Sequence, residues 1–373
     1  MTTTTSATNS TQKTNIIDLY PSNWLYNAGV VGFLISLEMI EKNKNIQDFF
    51  EFNKLKLDLS LFGTLEIEKR YFSENKISSI VGNSNLYRNY LQPNQKKFYL
   101  EFVKSLSSLV DADCNLCNNG KNLENNTVND LNLKDPGRSK FLERIKAFNI
   151  IHSTELAPSF NEFPNASWAC KNSISICHLC SFIIIHHHLA LTRLSDGSEI
   201  FINAPSFEAM WHLNKFAREI LQSQSKEETR GKREILAMTI IEYATKIQTT
   251  LGQWASMNIE IVSKKGSEIQ FFSLPYQVVQ IISDRKIASL LSDIGEFKIL
   301  NIVLNQEYKK LLDLGYKTMR WGLTKNNDLG GKSKASEVID KTYFLQKNRD
   351  NPLLTAQKLL ELYVHIEQKL KNK

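Results

Sequence analysis

The chain has 373 residues, with 46 Lys and Arg against 39 Asp and Glu, a formal net charge of +7, and 42% hydrophobic residues. That is enough for a substantial core in one large domain or two ordinary ones, and it argues against a chain disordered throughout. The mild basic excess permits a nucleic-acid partner without requiring one, and no apolar run reaches the length of a membrane span.

The first fifteen residues are polar and lack the apolar core of a signal peptide, so they read as a disordered tail, extended to residues 1–18 in the domain division. The stretch Tyr20 to Gly29 leads into Val30 to Leu37, a mostly buried helix with Ser22 or Asn23 near its N-cap. Between Phe49 and Phe72, Leu55, Leu57, Leu59 and Leu61, then Leu65 and Ile67, alternate with polar residues as in half-buried strands, with a turn at Gly63-Thr64.

Leu86 to Val110 reads as a helix beyond Pro93, and Asn118 to Pro136 as an Asn-rich loop. Gly137 to Ile151, Ala204 to Gln222 and Lys232 to Leu251 are further helices, the last expected to bury one face through Ile235, Met238, Ile240, Ile241 and Ala244. Met257 to Val262 and Glu268 to Phe272 form a predicted hairpin around Lys265-Gly266. Beyond Pro275, Tyr276 to Leu291, Glu296 to Leu314, Ser336 to Lys347 and Pro352 to Leu370 read as four helices.

The expected fold is therefore α+β. A mixed domain over 19–275, carrying a four-cysteine zinc-binding insertion, precedes an all-α helical bundle over 276–373.

The strongest chemical signal is a pair of pairs, Cys114-x-x-Cys117 and Cys177-x-x-Cys180, four of the chain's five cysteines. A C-x-x-C turn aims two thiolates at one ion, and two such turns complete a tetrahedral shell. Cys114, Cys117, Cys177 and Cys180 are thus the expected Zn2+ ligands. The site is structural, because four thiolates leave no open position for water. A redox dithiol is the lesser reading of the same spacing. Metal-bound thiolates suit a reducing cytosol better than a disulfide framework does, so a cytoplasmic location is expected. Cys170 is read as a buried apolar residue, and His178 as a lesser alternative ligand.

His186-His187-His188 could mark a second metal site or a proton relay. On a helix, however, the three side chains fan out over about 200°. Packing histidines beside the cysteine site are the simpler reading.

Two segments combine basic and aromatic residues. One holds Tyr87, Arg88, Tyr90, Lys96, Lys97 and Lys104. The other, read as a loop, holds Lys317, Arg320, Trp321, Lys325, Lys332 and Lys334. Such cations neutralise phosphates and a Trp can stack on a base; a solvated face explains the same residues. Gly331-Lys332-Ser333 is not a P-loop, since Asn326 occupies the place of its first glycine and no strand precedes it. No catalytic constellation stands out.

Three features together carry a resemblance: Asn23-Trp24-Leu25-Tyr26-Asn27-Ala28-Gly29 followed by Val31-Gly32-Phe33-Leu34; the two widely separated C-x-x-C pairs; and Phe163-Pro164-Asn165 ahead of the second pair. In these the chain resembles the CXXC–CXXC family of CRISPR-associated proteins, large subunits of type I (I-A/I-B-like) Cascade surveillance complexes. The resemblance spans about residues 20 to 280. It implies a non-catalytic subunit at the 5′ handle of the guide RNA. Such a subunit inspects a short flanking motif on duplex DNA, supports opening of the duplex and steers the displaced strand with its bundle. Its partners would be the other Cascade subunits and a helicase-nuclease effector, or transposition proteins if a transposon has recruited the complex. The motif-reading residues are expected in Tyr87 to Lys104 or in Asn118 to Pro136. A zinc-stabilised metal-dependent nuclease using His186 to His188, and a stand-alone zinc-ribbon regulator that binds nucleic acid, are the competing readings.

Overall fold

A computed structural model describes residues 16–40, 46–51, 54–58, 109–114, 116–117, 119–124, 147–149, 173–222, 231–246, 259–266, 268–323, 348 and 350–371. It mixes helix and strand and ends in a helical region. The contacts divide it into two compact units, up to Ala190 and from Leu191.

The first unit opens with β1 (Ile16–Leu19), which begins inside the stretch expected to be tail. β1 pairs antiparallel with β3 (Lys54–Asp58), and β3 with β2 (Phe50–Glu51), giving the order β1-β3-β2. The alternation read from the sequence sets the faces: Ile17 opposes Leu57 and Leu19 opposes Leu55, all four buried.

Between β1 and β2 runs α1 (Trp24–Ile40). Asn23 caps it, its Oδ1 accepting from the Leu25 N–H at 2.9 Å. Asn27 clamps the entry, its side chain exchanging two hydrogen bonds with the Ser22 backbone at 2.8 and 2.9 Å. Every residue from Trp24 to Ser36 is buried, so this is a core helix, apolar all round rather than on one stripe.

Two short hairpins follow, β4 (Leu109–Asp111) with β5 (Lys121–Leu123) and β6 (Ala147–Asn149) with β7 (Ser173–Ser175). β6 lies where a helix was expected over Gly137 to Ile151; pairing with β7 claims these three residues, a tertiary demand that local pattern does not contain. Likewise β5 lies within the expected Asn118 to Pro136 loop, and β4 at the end of the expected Leu86 to Val110 helix.

The unit closes with α2 (His178–Ile184) and α3 (His187–Ala190), both packed on α1. The approach is close enough to require glycine. A Cβ on Gly29 would lie 2.7 Å from the Ile183 carbonyl oxygen, and one on Gly32 2.0 Å from that of His186.

The second unit is built on an antiparallel sheet of order β11-β10-β9-β8: β8 (Thr192–Arg193), β9 (Glu199–Asn203), β10 (Glu260–Lys265) and β11 (Glu268–Ser273). The last two form the expected hairpin through Gly266. α4 (Phe207–Gln222) is tied to β9 by Asn214, whose side chain brackets the Ile202 backbone with two bonds of 2.8 Å.

α5 (Lys232–Lys246) was expected to bury one face. It buries Ile235, Leu236, Ala237, Thr239, Ile240, Ile241, Tyr243 and Ala244, most of its circumference, while Met238 stays partly exposed. It is central because it packs against α4, the sheet and three helices beyond Pro275.

Those helices are more broken than expected. Tyr276 to Leu291 divides into α6 (Tyr276–Ile282) and α7 (Arg285–Ile294), because Asp284 accepts from Lys286 and Ile287 N–H at 3.1 and 3.4 Å and caps a new helix. Glu296 to Leu314 divides into α8 (Phe297–Leu304) and α9 (Lys309–Leu323) around Gln306, held at φ +59°. α9 then packs along the last helix, α10 (Pro352–Lys371). Since α5 joins the sheet to α6, α7 and α8, the helices beyond 275 share a compact unit with the strands from Thr192 onward.

Candidate metal centre

Two local structures, far apart in sequence, deliver the four cysteines to one place. Cys114 and Cys117 sit in the loop between β4 and β5, which the Ala112 N–H to Gly120 carbonyl bond of 3.0 Å closes. Gly120 admits no side chain: a Cβ there would lie 2.2 Å from the Ala112 carbonyl oxygen and 2.9 Å from the Cys114 Cβ. Cys177 is the N-cap of α2, its sulfur accepting from the Cys180 N–H at 3.4 Å, and Cys180 lies in the first turn. Cys177 and Cys180 are buried; Cys114 and Cys117 are half-buried.

The four sulfurs all lie within 4.8 Å of one another and could hold a metal ion. Contacts between the pairs are 3.8 Å for Cys114 to Cys180 and 3.9 Å for Cys117 to Cys177. An ion about 2.3 Å from each sulfur of a tetrahedral shell sets sulfur–sulfur edges of about 3.8 Å, whereas a disulfide needs about 2.05 Å. All four cysteines are free, in keeping with the first geometry.

The donor set fits a bound cation in a second way. Four thiolates around a divalent ion leave a net charge of about −2, which buried dipoles must meet. Cys114 Sγ accepts from the Leu116 and Cys177 N–H groups at 3.4 and 3.3 Å, and the N-terminus of α2 faces the cluster. Hydrogen bonds from neighbouring thiols, Cys117's first, hold Cys114 well below the ordinary thiol range. The same sharing, with the Cys114 bond foremost, pushes Cys117 and Cys180 up.

His178 is a brace rather than a fifth candidate ligand. Its Nδ1 accepts from the Leu123 N–H at 3.0 Å, and its own backbone N–H donates to Asn122 Oδ1 at 2.9 Å. These two bonds fasten the β4–β5 hairpin to the first turn of α2 and hold the cysteine pairs in register. From the other side, Ser22 Oγ donates to the Leu116 carbonyl at 2.7 Å, anchoring the entry of α1 on the first cysteine turn. One helical turn on, Tyr26 is fully buried and its hydroxyl has no hydrogen-bond partner. Burial first, then the charge of the four sulfurs, raises its pKa well above that of an ordinary tyrosine.

The three consecutive histidines form no metal site among the described residues, where the four cysteines are the group that could hold a metal ion. They finish α2 instead. His186 Nδ1–H donates to the Phe182 carbonyl at 2.9 Å, and His187 Nδ1–H to that of Ile184 at 2.8 Å. His186 packs edge-on against Phe33 and Phe182, and burial lowers its pKa to about 3.

Of the candidate nucleic-acid residues, Lys317, Arg320 and Trp321 fall on α9. This corrects their placement in a loop: the buried series Leu311, Leu314 and Thr318 carries the helix through Gly315 and past the expected end at Leu314. A Cβ on Gly315 would lie 2.7 Å from a methyl of Leu360, so this glycine marks close packing on α10. The i, i+3, i+4 spacing puts Lys317, Arg320 and Trp321 on one helix face. Lys317 is exposed and ion-paired with Asp313 at 2.6 Å, Arg320 is exposed, and Trp321 is half-buried. Arg88, Lys96, Lys97, Lys325, Lys332 and Lys334 lie outside the described residues, as do Cys170, Gly63-Thr64, Phe163 to Asn165 and Ser336 to Lys347.

Sequence reasoning found the four sulfurs but not their supports. Ser22 stands just before the opening motif, yet nothing in its spacing tells that it meets the first cysteine turn. Asn122 had no signal. Among the described residues, no helix is long and apolar enough to cross a membrane. No family model, curated protein or solved structure matches the chain.

Proposed function

We propose that the four cysteines bind zinc in a structural role, and that the chain is the non-catalytic large subunit of a type I CRISPR RNA-guided surveillance complex. The supporting observation is that two marks of the family resemblance, separate in the sequence, belong to one structural unit. The opening motif supplies α1, whose entry holds the first cysteine turn through Ser22 and whose Gly29 and Gly32 lie against the helix carrying the second. Motifs that depend on each other physically are expected to occur together in a family.

On this reading zinc stiffens the unit that presents side chains to a DNA groove. In such complexes guide-RNA pairing reads the target, while protein reads a short flanking motif, a division of labour known in single-protein effectors too. The displaced strand would run along the Lys317, Arg320 and Trp321 face of α9, where Lys317 and Arg320 meet phosphates and the exposed part of Trp321 supports a base. Partners are the guide 5′ handle, target DNA, the other subunits and a helicase-nuclease effector, or transposition proteins in a transposon-borne complex. The nuclease reading is weakened by the engagement of His186 and His187 with the carbonyls of α2.

The test is reconstitution. The purified chain should contain about one zinc and bind duplex DNA weakly. Adding guide RNA and companion subunits should strengthen binding at least about tenfold, and only where the flanking motif is present. Tight sequence-specific binding by the chain alone would favour the zinc-ribbon regulator. DNA cleavage with Mg2+ or Mn2+, abolished by His187→Ala, would establish the nuclease.

A further inference from the structure

The sheet of the second unit leaves β11 at its margin. Among the described residues β11 pairs with β10 alone, in an unbroken register from Glu268 to Ser273. Alternate residues of such a strand turn their backbone N–H and C=O groups away from the sheet, so a row of donors and acceptors faces outward. The side chains are open as well: Phe271 is 54% and Phe272 37% exposed, and only Ile269 of the strand is better covered. Exposed edges are usually blunted by charge, proline or a bulge. From Ile269 to Ser273 this edge has none of these.

The two faces of β11 differ. Ile269 and Phe271 share one, and Glu268, Gln270 and Phe272 the other. On the second face Gln270 Nε2 donates to Glu268 Oε1 at 2.6 Å. Lys232, at the start of α5, holds its ammonium 4.8 Å from the centre of the Phe272 ring. This face thus carries an anion at one end and a cation at the other. The four-residue rise along one strand separates these ends by about 13 Å, too far for an ion pair.

An antiparallel copy of the strand reverses the order of the ends. With Gln270 opposite its own counterpart, Glu268 stands opposite Phe272 of the second copy, beside Lys232 of that copy, and symmetry repeats the pair. The same register sets Ile269 against Phe271 on the other face, an apolar match. Centring the pairing on Phe271 would set Glu268 opposite Leu274 and lose both charge pairs.

We propose that β11 pairs antiparallel with β11 of a second copy of this chain, about a two-fold axis at Gln270, joining the two sheets into one. The free backbone edge supplies the attraction, and the Glu268 and Lys232 charges choose the partner and the register. A single strand pair is smaller than a standard interface, so the dimer is a weak one, in the micromolar range. This assignment goes beyond the guide-complex reading and does not depend on the metal centre.

The test is sedimentation of the full chain from about 1 to about 200 µM, which should show a monomer–dimer equilibrium. Glu268→Lys and Lys232→Glu should each weaken dimerisation at least about tenfold, and the two changes together should restore it, which a folding defect would not do. Under mild oxidation Gln270→Cys should give an interchain disulfide, because directly opposed Cα atoms lie within disulfide reach. Ser273→Cys, about 20 Å from its mate in this register, should cross-link no more than the wild type. A chain that stays monomeric at about 200 µM overturns the proposal. Hydrogen-exchange protection of β11 gained only on adding companion subunits would then give the edge to one of them. A dimer that ignores both charge reversals and does not cross-link through Gln270→Cys overturns it equally, by placing the interface elsewhere.

Discussion

Up to Ala190, strands pair over two to four residues, the β4–β5 and β6–β7 ladders over three each, and the chain returns to its cysteine loop from more than sixty residues away. From Leu191 onward, a four-stranded sheet carries six-residue pairing between β10 and β11, and α5 lies at the centre of the helices around it. Ladders of three residues are marginal alone. The first unit therefore depends on the cysteine cluster and on α1 above it, whereas the second is held by ordinary apolar burial. The difference lies in what closes each loop, four sulfurs that could hold a metal ion in one unit and a continuous side-chain core in the other.

Metal removal is the strongest way to break this comparison. Structural zinc contributes on the order of 10 kcal/mol or more in small zinc-dependent folds, comparable with the whole stability of a domain. Chelation, or the double change Cys177→Ser with Cys180→Ser, should abolish hydrogen-exchange protection of α1, α2 and the β4–β5 hairpin while β9, β10 and α5 stay protected. Simultaneous loss in both units, or in neither, would refute the contrast.

A cavity in the second unit supplies the converse. Ile240 is fully buried on α5, so Ile240→Ala should cost about 2–5 kcal/mol. Denaturant unfolding should record that loss, with the bound-metal content unchanged.

Acid gives the most graded test. Burial lowers the His186 pKa to about 3, below its unfolded value near 6.5. Between these values the unfolded chain binds the extra proton, so the contribution is full above about pH 6.5 and is lost as pH falls toward 3. The slope is about 1.4 kcal/mol per pH unit. His186→Asn should flatten that slope in the first unit. In the second unit, burial also lowers the His212 pKa, so acid acts on that unit in the same direction. Equal slopes in wild type and His186→Asn would remove His186 from the account.

Much of the helical content was legible because it is local. Asn23 as a cap, the spans of α4, α5 and α10, and the β10–β11 hairpin all follow from capping residues, periodicity and turn chemistry within a few positions. Where reading failed, a distant partner had decided. The Ala147 to Asn149 segment became strand because β7 offered it hydrogen bonds. The helix expected to end at Leu314 runs on to Leu323, with Gly315 packed against Leu360. The one-faced reading of α5 missed that several elements surround it.

The candidate site divides in the same manner. Sequence by itself determined the ligand chemistry: two C-x-x-C turns and four soft thiolates. Only the tertiary structure decided that the pairs converge, that His178 braces them instead of ligating, that His186 and His187 engage the carbonyls of α2, and that Ser22 at the entry of α1 reaches the first cysteine turn. The reason is that a cysteine's affinity for metal is carried by its own side chain. Burial, hydrogen-bond donors and sulfur–sulfur distances belong to neighbours that the chain supplies from sixty to ninety or more positions away.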